Sequence, residues 1–404
     1  MAEKTIQPNN NIAFLVVFMG LIALYDQYLA LIEGPLIPYI LEDFNVTAEY
    51  FALWQGIFGI ITFSVFFIGW LSDAYGRKPA MLILILVMGI PAFLILTAYT
   101  FFWFMLLYSL VIMGTLSNLW EIPISEESPP KKRGLYGSLA FLIGLLPIWA
   151  LVGGPLAEGP GWRWGYAIMG FMMIILIVLW LKMNETARWE ATHEAHEKKT
   201  LKIKEAFKSL EKKDWQYIAM CSIIYGLWTI SFKMVATWGG YYYMNIQGLT
   251  EPEYRSILLV GGLLMIVGAL LSGICMEKLG RNATLIISCV GSVVGFIGLA
   301  LTGSKYIYWI IFIFMPMTLG WVMVYFAEIF PTRIRSTAVG ISATATRLSY
   351  VIGPLIAAAL LITFPTMEGF WIFAGIFMII PLFTLFIKPY ETKGKDLDTV
   401  QLER

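Results

Sequence analysis

Residues 69–78 read Gly69-Trp70-Leu71-Ser72-Asp73-Ala74-Tyr75-Gly76-Arg77-Lys78, a turn that sets an acid, two glycines and two bases between long apolar runs. Half a chain later the glycine, acid, glycine and arginine recur with the same spacing as Gly273, Glu277, Gly280 and Arg281, an offset of 273 − 69 = 204 residues in a chain of 404. A second element repeats at nearly that offset: Glu126, Pro129 and Arg133 return as Glu328, Pro331 and Arg335, 328 − 126 = 202. Two matched pairs make the chain a tandem duplication. In a membrane chain such repeats place the working site where they meet, near the bilayer midplane.

Composition decides the solvent. Hydrophobic residues make up 59% and charged residues 14%, against roughly 45–50% and about 25% in soluble domains. Only helices or closed barrels satisfy the backbone in lipid, and these apolar runs are continuous rather than alternating, so helices are expected. Twelve stretches reach the length of about 20 residues that a crossing needs: 12–34, 51–72, 80–99, 102–124, 136–157, 164–183, 216–240, 255–276, 283–303, 306–327, 336–362 and 369–388. The expected fold is an all-α integral membrane protein of two pseudo-symmetric six-helix bundles, 1–183 and 215–404 with its tail, joined by a linker at 184–214.

Lysine and arginine bias sets the orientation. The loops carrying Arg77 and Lys78, Lys131 to Arg133, Lys278 and Arg281, and Arg333 and Arg335 fall on one side with the linker and both termini, while the other side holds only Arg163, Arg255 and Lys305. That predicts a multi-pass cell-membrane protein with cytoplasmic termini. In the linker, seven lysines between Lys198 and Lys213 surround Ile203, Phe207 and Leu210, which reads either as an amphipathic helix on the membrane face or as a solvated basic segment. Residues 1–11 lack a signal-peptide pattern, so the first run should stay as a helix. A net charge of +1 gives no reason to expect nucleic acid. Cys221, Cys275 and Cys289 sit in apolar runs as small packing residues. Both histidines, His193 and His196, lie in the linker. Neither a metal site, a cofactor loop nor an enzyme's nucleophile and base can be assembled.

Ionisable residues in mid-span are costly and are functional candidates by default. Four stand out: Asp26 in the first span, Glu121 in the fourth, Lys233 in the seventh and Arg347 in the eleventh. Asp26 lies roughly 21 Å into its helix at about 1.5 Å per residue, and Lys233 lies at similar depth in the corresponding span of the second half. The acid and base fit either a proton-coupling carboxylate beside a cation or a structural ion pair. Glu121 shares a helical stripe with Asn118, Ser117 and Gly114, and reads as a second proton carrier or as a side chain reaching the membrane edge. Arg347, with Thr344 and Tyr350 one turn to either side, offers a fixed fork matched to carboxylates; it binds an anion or partners an acid.

Twelve spans in two halves, with Gly69 to Lys78 after the second, resemble the major facilitator superfamily across essentially the whole chain. The paired Glu-x-x-Pro-x-x-x-Arg elements and the tail Pro389-Tyr390-Glu391-Thr392-Lys393-Gly394-Lys395 resemble its sugar porter branch and equally the organic-ion and vesicle-glycoprotein relatives. The resemblance implies alternating access around a cavity lined by spans 1, 4, 7 and 10, with the motifs Gly69, Asp73, Gly76, Arg77, Lys78, Glu126, Arg133, Glu277, Arg281, Glu328 and Arg335 latching one state. Asp73 and Glu277 beside arginines at the membrane edge fit a latch; anchoring of topology is the other reading, and it does not account for the acids.

On those cavity spans, Tyr25, Tyr28, Trp228 and Trp321 supply aromatic surface, and within the spans as a whole Gln27, Gln55 and Asn118 supply amides. Amides within the spans are few, and the glutamine pair followed by Gly-x-Asn that marks sugar porters in span 7 is absent: that stretch reads Ile224-Tyr225-Gly226-Leu227-Trp228-Thr229-Ile230-Ser231-Phe232-Lys233. The expected function is proton-coupled symport of a small organic anion, a mono- or aromatic carboxylate, by a monomer. The alternatives are a proton-coupled sugar or polyol symporter, a drug exporter, and a transporter-like receptor.

Overall fold

The computed structural model describes residues 10–115, 117, 119–129, 132–196, 210–330, 335–395, 400 and 403, with the backbone alone at Asp73, Arg133, Gly134, 192–196, Ala327, 335–337 and Val339. Among the described residues all regular structure is helical. Eleven helices are long and apolar enough to cross a membrane, and one shorter apolar helix joins them. In chain order they are α1 Ile12–Leu31, α2 Ala48–Ser72, α3 Arg77–Thr97, α4 Phe101–Gly114, α5 Leu135–Gly161 and α6 Arg163–Leu181, then α7 Lys212–Ile246, α8 Glu251–Lys278, α9 Arg281–Thr302, α10 Lys305–Phe326, α11 Gly340–Thr363 and α12 Glu368–Ile387.

The helices form two compact units, Met1–Ile40 with Ile61–Thr200, and Leu41–Ile60 with Leu201–Arg404. The first half of α2 thus belongs to the second unit, where it lies along α11. Glycines permit this. A Cβ added at Gly56 would sit 2.7 Å from Leu355, and one at Gly59 only 2.1 Å from the carbonyl oxygen of Tyr350. Beyond that crossing the helix tightens to a 3-10 turn, Gly59–Ser64.

The fourth span departs from the sequence expectation. Instead of one helix over 102–124, α4 stops at Gly114, Thr115 turns extended with ψ 153° and returns its hydroxyl to Ile112, and a separate short helix covers Glu121–Glu127. A β-branched residue that satisfies its own hydroxyl against the last turn competes with helix continuation. Gly114, Ser117 and Glu121 therefore do not share one helical face, and Asn118 lies outside the described residues.

In each unit the fifth helix is interrupted at the same repeat position. Pro147 has no N–H to give, and α5 breaks at 145–147; α11 tightens at 347–348, and 347 − 145 = 202, the offset of the Glu-Pro-Arg elements. Close packing frames both breaks: Ala23 of α1 lies against Gly144, and Ile230 of α7 against Gly353. The linker's lysine and apolar positions at 198–208 lie outside the described residues. Its start is built into the first unit, where Asn184 pairs with Asn10 and the Ala187 N–H donates to Glu127 at 2.6 Å.

Candidate functional site

The quoted turn and its echo build two copies of one polar cluster. Gly76 has φ 117° and Gly280 φ 102°, a backbone that glycine adopts without strain. Each starts a helix whose first N–H groups need acceptors. A carboxylate supplies them. Glu185 accepts from the Arg77 and Lys78 N–H groups at 2.9 and 3.1 Å, and Glu391 from those of Arg281 and Asn282 at 2.8 and 3.0 Å. A Cβ on Gly76 would fall 2.2 Å from the Glu185 carboxylate and one on Gly280 2.9 Å from Glu391. Glycine is thus required by both dihedral and space.

Each arginine side chain then forks onto the acid of the second element. Arg77 meets Glu126 at 2.9 Å and Arg281 meets Glu328 at 2.7 Å, both with Nε also engaged. Thr186 donates to Glu126 at 2.6 Å and Thr392 to Glu328 at 2.5 Å. Such paired charge-assisted bonds are the strong class. In the second copy the acid of the Gly-acid-Gly-Arg motif plays a lesser part, since Glu277 reaches Arg281 only at 3.5 Å with its side chain 73% exposed; the Asp73, Arg133 and Arg335 side chains lie outside the described residues. Gly69 and Gly273 face open space, since an added Cβ would meet nothing within 4 Å. Lys78 lies over Trp180 at 5.1 Å. Glu185, Glu391, Thr186 and Thr392 were not singled out by spacing, although the repeated dipeptide Glu-Thr, at 185 and 391, was there to be matched.

Inside the first unit, α1 buries Tyr25, Asp26, Gln27 and Tyr28 in succession. The two phenols are committed to their own bundle: Tyr25 donates to Ile85 at 3.4 Å and Tyr28 to Gly165 at 2.8 Å. They bind α3 and α6 rather than presenting hydroxyls to a solute. Asp26 is fully buried, and Glu121 stands close enough to feel its charge.

The second unit gathers bases. At the tightened turn of α11 the hydrogen bonds run i to i−3, with the Arg347 N–H on Thr344 and the Tyr350 N–H on Arg347. That geometry eclipses side chains three apart. Arg347 accordingly stacks on Tyr350, its Cζ 5.2 Å from the ring centroid. From α7, Lys233 lies one turn past Ile230, and because helix side chains lean toward the N-terminus its Nζ comes to 5.9 Å from the same ring. Arg347 and Tyr350 are buried and Lys233 half-buried. Ser349 pins the two helices by donating to Gly226 at 2.8 Å. Gln55, four residues before Gly59, shares the α2 face that crosses Tyr350.

Trp228 and Trp321 are framework here. Trp228 donates to Met315 at 2.7 Å and stacks on Phe232, and Trp321 donates to the Arg281 carbonyl at 2.8 Å, tying α10 to the second polar cluster. A buried indole N–H needs such a partner.

Three comparisons bear on this arrangement. Residues 16–327 match the Major Facilitator Superfamily profile, and residues 305–403 match the profile of the Sugar (and other) transporter family. The chain is 25% identical to the cis,cis-muconate transport protein of Acinetobacter baylyi, covering 85% of this chain and 86% of that one, and 27% identical to the glucose transporter GlcP of Staphylococcus epidermidis, covering 83% and 84%. Its fold is that of the inward-open xylose transporter XylE of E. coli, with a TM-score of 0.73 at 18% identity over 97% of this chain and 99% of that one. Duplicated helices, duplicated polar clusters and these likenesses agree: the chain belongs to the major facilitator superfamily, as a multi-pass membrane transporter of small molecules with a sugar-porter-like build.

Proposed function

We propose that the protein carries a small organic anion, a mono- or dicarboxylate with a flat unsaturated or aromatic body, together with a proton. One observation carries this reading: two cations converge on one buried aromatic ring, Lys233 and Arg347 on Tyr350. A fixed guanidinium fork and a mobile ammonium suit carboxylate groups, and the ring beside them suits a flat apolar body. The likeness to a muconate transporter supports the same solute class. Asp26 and Glu121 are the proton carriers in this scheme. Two neighbouring carboxylates cannot both ionise cheaply in a buried site, so a proton taken by the pair is released when its surroundings change. The paired clusters at Arg77 and Arg281 latch one state, with Gly69, Gly76, Lys78, Glu126 and Glu328 shaping the joints. The protein works as a monomer with its termini in the cytoplasm.

Proton-coupled sugar transport is the second reading, favoured by the likeness to GlcP. Liposomes containing the purified protein separate the two. Uptake of labelled muconate or benzoate driven by an acid exterior, with no response to glucose or xylose, supports the anion. Uptake of sugars alone refutes it.

A further inference from the structure

A cavity of about 310 Å³ lies next along the chain from the second polar cluster, at the membrane edge where α7 begins and α12 ends. A stripe of α7 lines one wall with Lys213, Tyr217 and Met220, and the segment after α12 lines the other with Ile387, Lys388 and Tyr390. The two walls are fastened together, since the Tyr390 N–H donates to the Tyr217 hydroxyl at 3.3 Å. Among the described residues neither lysine ammonium takes part in an ion pair. The one acid among the described lining residues, Glu403, is already engaged: Lys395 holds it at 2.6 Å and the Tyr390 hydroxyl donates to it. Those hydrogen bonds, that of Lys395 foremost, keep the Glu403 carboxyl below its ordinary range. Among the described residues the cavity therefore carries two lysines that no carboxylate pairs.

Its surroundings add a second feature. Lys388 holds a left-handed backbone, φ 51°, at the end of α12, where glycine is the usual residue. The lysine in that strained position is exposed and lines the cavity, immediately after Phe383, Phe386 and Ile387. These three face outward, 58%, 81% and 51% exposed, and the two rings stack. Trp215, 43% exposed, stands on the α7 side. A charged cavity bordered by outward aromatic residues, at the end of two membrane spans, has the profile of the headgroup region.

The geometry points to a binding site for one anionic phospholipid, its phosphate between Lys213 and Lys388 and its acyl chains along Ile387 and the Phe383–Phe386 face. The ligand chemistry is a phosphodiester, and the source is the bilayer rather than a soluble phosphate. Charge complementarity sets the headgroup and the continuous apolar border sets the tail. Occupation would tie the start of α7 to the end of α12, and so act on the helix that carries Lys233.

Native mass spectrometry of the full-length protein in detergent, titrated with phosphatidylglycerol or phosphatidylcholine, tests this. One phosphatidylglycerol should bind in preference, and the Lys213→Gln/Lys388→Gln double variant should lose about thirtyfold in affinity, about fivefold for each basic contact. A Lys305→Gln variant, altered at a different loop, should bind as the parent does. Both substituted lysines are exposed, and an unchanged melting temperature for the double variant excludes unfolding. Equal retention of both lipids, equal affinity in parent and double variant, or competition by glycerol phosphate as strong as by the lipid would each overturn the proposal.

Discussion

The two halves agree at one level and disagree at another. At the polar clusters, Arg77, Glu126, Glu185 and Thr186 of the first unit have counterparts in Arg281, Glu328, Glu391 and Thr392 of the second, joined by the same hydrogen bonds. In the helix interiors the charges are opposite: the first unit buries Asp26, with Glu121 within reach of its charge, and the second turns Lys233 and Arg347 onto Tyr350. Features held alike in both copies satisfy helix ends and a forked arginine, which any six-helix bundle of this kind needs. Features that differ by sign are where the copies have specialised. In the function proposed above, the shared clusters serve both halves as joints, and the contrasted interiors divide the handling of solute and proton between them.

The comparison can be broken at either level. The largest effect is expected in the second interior: Arg347→Gln should weaken anion binding by roughly 10- to 150-fold, the worth of about 1.5–3 kcal/mol for a charge-assisted contact, as read by titration calorimetry. In the first interior, Asp26→Asn should abolish accumulation driven by a pH gradient while leaving counterflow exchange of the anion intact. Loss of both together would mean that Asp26 is structural.

Among the shared clusters, Glu126→Ala and Glu328→Ala each leave a part-buried arginine without its fork, at roughly 3 kcal/mol; thermal unfolding in detergent should show comparable losses for the two. Gly76→Ala and Gly280→Ala should cost about 1–3 kcal/mol each from the backbone alone, since φ 117° with ψ 162° and φ 102° with ψ 168° are open essentially only to glycine. The first should be the worse, because its added Cβ meets Glu185 at 2.2 Å whereas Gly280 meets Glu391 at 2.9 Å. Smallest of all, Glu277→Gln should alter stability by under about 0.5 kcal/mol, since an exposed pair at 3.5 Å is worth little. A large loss there would restore the first-motif acid to the centre of the cluster.

Repeat spacing made the architecture legible. Apolar length located the spans, and the matched Gly-acid-Gly-Arg and Glu-Pro-Arg elements located the polar clusters, because residues that satisfy helix ends recur wherever the helix does. What spacing could not show was which acid each arginine takes. Glu126 and Glu328 lie far along the chain from their partners, and Glu185 and Glu391 farther still. Counting forward by helical periods failed at Glu121, since the extended backbone at Thr115 breaks the stripe. Residue type did not show where the donors of Tyr25, Tyr28, Trp228 and Trp321 go: an aromatic residue on a cavity helix has two sides, and only the fold shows that their donors are used within the bundle. Lys233 and Arg347 were legible as costly charges, but their convergence on Tyr350 depends on the tightened turn of α11, which no sequence period announces.

The proposed solute site stands or falls with anion binding by Lys233 and Arg347. Calorimetric titration of cis,cis-muconate into the parent protein and into the Lys233→Gln/Arg347→Gln double variant tests it most directly. Saturable binding to the parent that is lost in a double variant with an unchanged melting temperature is the predicted result; undiminished binding to the double variant, or heat from glucose but none from muconate, would contradict it.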